Sequence, residues 1–450
     1  MKKSKKLSRR AFLKGAAIGG LTLAAAAIDG SFSFSNRVIA AGLGSGRDIQ
    51  PLWKASRHKN KIIVVSDLHF GIDDSFAENV HNRALFIEFL RRLQQTADIR
   101  ELVIAGDFLD EWFLPLTYGP ITDFQTFFLQ VAKNNQDVID ELNNVMKKGI
   151  KLVYVIGNHD MNMEIGILKY LLPGIIQTRD AKGLGRYVTG DRKEIVIEHC
   201  HRYDPYSAPD RVSNKELCRS DDTMYPPGYF YARVGTSWVI ENKPKIKKNY
   251  PVITKIPNSS NVDQMGAYAY AKTLETLFNR ITEKSNFEDK IFKLKTCGFN
   301  GSYSLKDMYP VEQPDGTISA PVLFRNFQRY WDERQKMNDV WVKTPFLEAG
   351  TEAGTETKKY FYKCAKKQYL ERNESSFDVV VFGHTHIPDF QQDGKKFYVN
   401  SGTWVDHNSD YPPATRTFAV IETGITDNAA LYEYTEEGTL DDLSVKVKNS

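Results

Sequence analysis

Histidines and carboxylates recur in this chain directly after apolar runs of strand length. The clearest case is the turn Gly383–His386, read Gly-His-Thr-His, which follows the apolar run 377–382. A histidine pair at the end of a buried strand is costly to desolvate unless it binds something. Four other apolar runs, at 61–66, 102–105, 152–156 and 194–198, end in residues of similar kinds: Asp67 and His69, Asp107, Asn158 with His159 and Asp160, and His199 with His201.

These side chains offer imidazole nitrogens, carboxylate oxygens and one amide oxygen. That mixture suits divalent or trivalent metals such as Mn, Fe, Zn or Co, because a soft site would use thiolates and a hard site would use oxygens alone. The set is larger than one ion needs. We therefore predict two metal ions that share one carboxylate, an arrangement that clamps the oxygens of a phosphoryl group. The predicted substrate is a small phosphorylated molecule.

Helical patterns separate the apolar runs. Apolar residues recur at helical spacing across 86–93, and a long helical stretch from about 124 to 148 stops at Gly149. Alternating strands and helices predict an α/β core with a mainly parallel sheet, covered on both faces, whose carboxyl-terminal strand ends form the site. We assign this core to residues 61–201 and 377–435. Residues 202–376 are predicted to be a mostly helical or irregular insertion, and residues 436–450 a polar tail.

The N-terminus has the pattern of a targeting segment. Two arginines, Arg9 and Arg10, precede Phe-Leu-Lys and a weakly apolar run at 15–28. This is typical of a twin-arginine signal peptide, which we assign to residues 1–41, with a linker at 42–60. The apolar run is shorter than the roughly 20 residues that a membrane span needs, so we expect no stable span after signal removal. The predicted location is periplasmic or secreted, with the twin-arginine export machinery as a partner.

Charge and cysteine content bear on the partners of this chain and on the compartment in which it works. The formal net charge is +4, but residues 1–41 carry a net +7, so the remainder carries −3. We expect no nucleic-acid partner, because binding a phosphate backbone needs clustered cations. The four cysteines form no Cys-x-x-Cys pair. One disulfide is compatible with export, and the sequence leaves its pairing open.

Five motifs in this chain resemble those of the calcineurin-like metallophosphoesterase family and occur in the same order. They are Asp67-Leu68-His69, Gly106-Asp107 with Asp110, Gly157-Asn158-His159-Asp160, the histidine after the fourth strand, and Gly383-His384-Thr385-His386. The resemblance covers residues 61–201 and 377–423, and excludes the insertion. It implies two packed mixed β-sheets flanked by helices, a four-layer sandwich.

The resemblance also implies a role for each site residue. The two ions would be held by Asp67, His69, Asp107 and His386, and by Asp107, Asn158, His384 and the histidine of the fourth motif. His159 would be the general acid or position the phosphate, and Asp160 would orient it. Asp110 is expected to brace the Asp107 loop. The fourth motif reads His199-Cys200-His201 where the family usually has His-Gly, so we favour His199 as the ligand, with His201 as the alternative.

The predicted function is an exported binuclear-metal phosphoesterase. It would hydrolyse phosphomonoesters or small phosphodiesters by attack of a metal-bridging hydroxide. Residues 106–112 are also similar to the UDP-2,3-diacylglucosamine pyrophosphatase branch, so a pyrophosphatase acting on a nucleotide-sugar or lipid-phosphate is the alternative. That branch usually carries arginine where this chain has His159, and it works on the cytoplasmic side.

A metal-bound scaffold without catalysis is a third possibility, and the pair His159 and Asp160 favours an enzyme over it. The insertion is expected to cap the metal edge and set substrate choice. Its lysine run at 243–248 is interpreted as a solvated face, with steering of phosphate as the alternative.

Overall fold

The structure is a computed structural model that describes residues 49–218, 223–372, 376–406 and 415–445. The predicted signal peptide and part of the predicted linker lie outside the described residues. The chain divides into two compact units. The core unit comprises 49–114, Ile121–His201 and the residues from Cys364 onwards, and the inserted unit comprises Pro115–Pro120 and Arg202–Lys363.

The core unit contains a mixed seven-stranded sheet. Its strands are Lys61–Val65 (β1), Ile99–Ala105 (β2), Lys151–Val155 (β3), Ile176–Thr178 (β4), Thr417–Glu422 (β14), Asn428–Tyr434 (β15) and Leu440–Asp442 (β16). They lie in the order β16-β15-β14-β1-β2-β3-β4. Strands β1 to β4 pair in parallel, and β14 joins β1 antiparallel with Lys61 opposite Glu422. The parallel set brings the ends of β1, β2 and β3 to one edge.

A second mixed sheet of five strands completes the core unit. Its strands are Tyr187–Thr189 (β5), Ile195–Glu198 (β6), Val379–Phe382 (β11), Asp389–Asp393 (β12) and Lys396–Asn400 (β13). The order is β12-β13-β11-β6-β5, and β11 pairs in parallel with both β6 and β13. The two mixed sheets flanked by helices confirm the predicted fold class.

Alternating side chains of the strands enter two different hydrophobic clusters. In β1, Ile62 and Val64 join residues of β6 and β11, whereas Ile63 and Val65 join residues of the helices. Such burial on both faces explains why these strands are nearly continuous apolar runs. The helices of the core unit are Asn82–Gln95 (α1), Phe124–Asn134 (α2), Gln136–Lys147 (α3) and Ile165–Leu171 (α4).

The inserted unit is mainly helical, with two short hairpins. Its helices are Pro227–Ile240 (α5), Val262–Arg280 (α6), Trp331–Met337 (α7), Phe346–Thr355 (α8) and Thr357–Ala365 (α9), the last of which ends in the core unit. The hairpins pair Phe292–Thr296 (β7) with Phe299–Tyr303 (β8), and Val311–Glu312 (β9) with Ile318–Ser319 (β10). A disulfide joins Cys218 to Cys297, while Cys200 and Cys364 are buried thiols outside it.

Two local predictions need correction. The long helix expected at 124–148 is two helices, because Asn135 leaves the helical conformation and its side chain donates to the carbonyls of Val131 and Gly71 at 2.8 and 3.0 Å. The polar tail expected from 436 contains β16, which pairs antiparallel with β15. Among the described helices, none is long and apolar enough to cross a membrane.

Candidate metal centre

The strand ends of both sheets bring the predicted ligands together. In the described part of the chain, three groups of buried side chains have ligand atoms within 4.8 Å of one another. Two of the groups contain six of the seven predicted metal ligands, and the remaining group adds Asp110 and His159. The groups are Asp67 with His69 and His386, Asp107 with His199 and His384, and His69 with Asp110 and His159.

Asp107 belongs to the group with His199 and His384 and also approaches His69 of the first group. Its Oδ2 atom is 3.6 Å from His69 Nε2 and 3.1 Å from His199 Nε2. Its other oxygen, Oδ1, accepts a hydrogen bond from the backbone N–H of His159 at 2.8 Å. One carboxylate oxygen therefore faces the nitrogen ligands of two separate groups, as a shared ligand must.

Hydrogen bonds fix which ring nitrogen of His199 faces the site. Nδ1 donates to the carbonyl of Ala105 at 2.7 Å, so Nε2 faces inwards, 3.0 Å from Asn158 Oδ1. Asn158, the seventh predicted ligand, is thereby placed beside the second group. Orientation of a ligating histidine by a backbone carbonyl is usual at metal sites.

Backbone conformation marks the ligands as well. Five of them have positive φ angles, between 46° and 70°, a region that residues other than glycine seldom occupy: Asp67, His69, Asp107, His384 and His386. Each such residue costs on the order of 1–2 kcal/mol. Strain of this kind, concentrated at one place, is typical of functional sites.

Two glycines of the motifs make room for ligands of other motifs. A Cβ at Gly157 would overlap Asp107 Oδ1, and a Cβ at Gly106 would overlap the ring of His199. Gly106 also has φ +92°, which disfavours other residues. The glycines are therefore needed for close approach of the three strand ends.

The donor set fits cations. His69 Nε2 and His386 Nε2 lie 3.0 Å apart, and His69 Nδ1 is already bonded to Asp110. Asp67 Oδ1 is buried without a hydrogen-bond partner, 3.3 Å from His386 Nε2. Lone pairs that face one another in a buried site need a cation between them, so these residues suit a metal ion.

Protons and metal ions compete for the nitrogen and oxygen atoms of this cluster. Burial opposes the charged forms, but His199 and His159 lower the pKa of Asp107 well below its usual range. Against the same burial penalty, Asp107 and Asp67 raise the pKa of His199 to about 9. Binding of metal to His199 must therefore release a proton, and we expect metal affinity to rise with pH.

Asp110 holds two histidines at once. Its Oδ2 accepts from His69 Nδ1 and from His159 Nδ1, each at 2.7 Å, and its Oδ1 accepts from the backbone N–H groups of Trp112 and Phe113, also at 2.7 Å. From the sequence we expected Asp110 only to brace the Asp107 loop. Its contact with both rings was missed because spacing does not show where a loop side chain points.

The predicted contact between Asp160 and His159 is wrong. Asp160 instead accepts from the backbone N–H groups of Phe108 and Gly157, both at 2.8 Å. Burial and the neighbouring Asp107 raise the pKa of Asp160 to about 6. Asp160 thus joins the loops after β2 and β3, and the carboxylate that orients His159 is Asp110.

Replacing Asp110 by asparagine is expected to reduce kcat/KM by about tenfold to a hundredfold, the usual cost of losing a group that orients a metal ligand. The carboxylate accepts all four of its hydrogen bonds, two on each oxygen. An asparagine has one acceptor oxygen, so its NH₂ group would lose two of these bonds. Steady-state kinetics across pH, with metal content measured in parallel, tests this. Unchanged kinetics at every pH would contradict the assigned role.

His199, and not His201, lies in the second group. His201 Nε2 is 3.1 Å from the carbonyl of Gly183, and the ring centroids of His201 and His384 are 6.4 Å apart, against 5.2 Å for His199 and His384. The geometry therefore supports the favoured assignment.

His199→Ala is accordingly expected to lose one of two metal equivalents, and His201→Ala to keep both. Elemental analysis of the two purified variants, with circular dichroism to confirm folding, distinguishes them. Loss of metal from His201→Ala alone would reverse the assignment.

Residues at the end of β13 and just after it support the first and last motifs. Asn400 donates from Nδ2 to the carbonyl of Gly383 at 2.9 Å, and Thr403 donates from Oγ1 to the carbonyl of Asp67 at 2.9 Å. The backbone N–H of His384 donates to Asp67 Oδ2 at 2.9 Å. These bonds hold the two ligand turns in their left-handed conformations.

Two mixed sheets with histidine and aspartate groups at their strand ends define a metal-binding hydrolase of phosphoesters. The chain matches the family model described as calcineurin-like phosphoesterase over residues 60–388, and it belongs to that family. No curated protein matches the chain.

Solved structures with similar chains include a dimetal phosphatase from Danio rerio. It is 10% identical, and the alignment covers 83% of this chain and 95% of that one with a TM-score of 0.33. A phosphopantetheinyl hydrolase from Mycobacterium tuberculosis is 12% identical, with 76% and 88% covered and a TM-score of 0.25. Similarity at this level carries no argument about the substrate of this chain.

Proposed function

We propose that this phosphoester hydrolase uses two metal ions to cleave small phosphomonoesters or small phosphodiesters. The observation that carries the proposal is the position of Asp107 Oδ2, which faces His69 Nε2 at 3.6 Å and His199 Nε2 at 3.1 Å. The ions would be held by Asp67, His69, Asp107 and His386, and by Asp107, Asn158, His199 and His384. Bound there, they would activate water and neutralise charge on the phosphoryl oxygens.

In this proposal, His159 would supply a proton to the leaving group. Its Nδ1 donates to Asp110 at 2.7 Å, so Nε2 is the ring atom left to serve substrate. Its ring packs against Trp112 and Phe113, with centroids 4.3 and 4.7 Å away, which fixes its orientation.

The test combines metal analysis with a substrate panel. The purified protein is expected to hold two metal equivalents and to hydrolyse an aryl phosphomonoester or its diester counterpart. A nucleotide-sugar pyrophosphate belongs in the panel, because residues 106–112 are similar to a pyrophosphatase branch. Two equivalents with no turnover on any member would favour a metal-bound scaffold. One equivalent or none would contradict the binuclear proposal.

We also propose that the protein acts outside the cytoplasm. The twin-arginine pattern around Arg9 and Arg10 supports export. The disulfide between Cys218 and Cys297 supports it independently, since such bonds are typical of oxidising compartments. In a bacterial host with this export route, the chain is expected in the periplasmic or secreted fraction. Arg9→Lys with Arg10→Lys should retain it in the cytoplasm, and equal export of both forms would contradict the proposal.

A further inference from the structure

A stretch of the inserted unit presents cations beside exposed apolar side chains. This basic segment, residues 238–255, begins in the last turn of α5 and contains five lysines against one glutamate, a net +4. Residues 42–450 as a whole carry −3. The positive charge is thus concentrated locally in an otherwise acidic chain, and none of these residues belongs to the candidate metal centre.

Side chains hold the backbone of the basic segment in a defined conformation. Trp238 Nε1 donates to the carbonyl of Pro244 at 3.0 Å, and the N–H of Ile246 donates to Thr282 Oγ1 at 3.1 Å. Thr282 also contacts the carbonyl of Pro244. The segment is therefore held at the end of helix α5 and against Thr282, which follows α6 in the inserted unit.

Some side chains of the basic segment are committed to the interior. Lys248 forms an ion pair with Glu283 at 3.3 Å, and both side chains are buried. Tyr250 and Ile253 are buried as well. Glu241, the acidic residue of the segment, accepts from a backbone N–H at 2.8 Å. These residues anchor the segment and do not contribute to its outer face.

The side chains between these anchors face solvent. Lys245 and Lys247 are exposed, and within the described ranges neither side chain forms a hydrogen bond or an ion pair. Ile240, Ile246 and Val252 are 44%, 38% and 55% exposed. We call these two lysines and three aliphatic residues the outer face of the basic segment.

An anionic lipid surface matches both parts of this face. Its headgroups attract lysines, and its headgroup–acyl boundary accepts aliphatic side chains. A nucleic acid or an acidic protein would engage the lysines without needing Ile246 and Val252. We propose that the basic segment docks the protein reversibly on anionic membrane surfaces. Docking would concentrate a phosphoesterase at such a surface and leave its chemistry unchanged.

Vesicle co-sedimentation of the full chain tests the proposal. We expect binding to vesicles of phosphatidylglycerol and phosphatidylcholine, no binding to phosphatidylcholine alone, and release by salt. Lys245→Gln with Lys247→Gln should weaken binding about twenty-five-fold, since each lysine near such a surface contributes about fivefold. Ile246→Ser with Val252→Ser should also weaken binding, although it leaves the charge unchanged.

The matched control removes the same charge elsewhere in the inserted unit. Lys293 and Lys295 are exposed residues of β7, and Lys293→Gln with Lys295→Gln should leave vesicle binding nearly unchanged. Hydrolysis of a soluble ester should be equal in all variants, which separates this proposal from the catalytic one. The proposal would be overturned if the control variant lost as much vesicle binding as the Lys245→Gln, Lys247→Gln variant. It would also be overturned if the serine variant bound vesicles fully. The latter result would indicate a polyanion-binding face.

Discussion

Asp107→Asn is expected to abolish binding of both metal ions and to reduce hydrolysis to background. The asparagine keeps the size of the side chain but loses the negative charge of the one oxygen that faces both His69 and His199. The two groups of ligands would then lack the carboxylate that joins them. Elemental analysis and assays on an aryl phosphomonoester, at saturating added metal, measure both effects.

Asp160→Asn is the matched control for this substitution. Asp160 is equally buried, but its oxygens accept from the backbone N–H groups of Phe108 and Gly157 and touch none of the candidate ligand atoms. We expect it to retain both metal equivalents. If Asp107→Asn kept two equivalents, the shared-ligand assignment would be wrong. If both variants lost them, the effect would reflect damage to the loops.

His159→Ala is expected to keep both metal equivalents and to lower kcat by roughly 10²–10⁴, the usual size of general acid catalysis. The loss should depend on the leaving group. An alkyl phosphate needs a proton on its departing oxygen, whereas a nitrophenyl phosphate departs readily without one. We therefore expect the largest effect on alkyl esters and a much smaller one on nitrophenyl esters.

Comparing the two ester classes gives the His159 experiment its internal control. An equal loss on both would show that His159 positions the phosphate and does not act as the acid. Loss of metal from His159→Ala would place His159 among the ligands and would contradict its assignment as the acid.

The ligands were predictable because the signal is local. Each lies within a few residues of the end of an apolar strand, and β1, β2 and β3 are parallel neighbours. Parallel strands bring their ends to one edge, so strand assignment alone predicts that Asp67, Asp107 and Asn158 converge. The sandwich of two mixed sheets came from the family resemblance and was confirmed.

The orientation of loop side chains could not be predicted in this way. Asp110 and Asp160 are both aspartates close to ligands, and spacing alone does not show which of them faces His159. The answer depends on the left-handed turn at Asp107, with φ 52°, which redirects the residues that follow. The pairing of Cys218 with Cys297 was equally hidden, because 79 residues separate them and no pattern links them.

The pairing of β1 with β14 has a consequence for the timing of assembly. Lys61 lies opposite Glu422, and Asp67 meets His386, so residues near both ends of the core unit must be present together. A nascent chain on the ribosome has made β1 to β6 long before it makes β11 and β14. Such long-range pairing is intrinsically slow. The ligand set is therefore incomplete throughout most of translation, and the enzyme can acquire activity only once its last strands have emerged and closed the sheet.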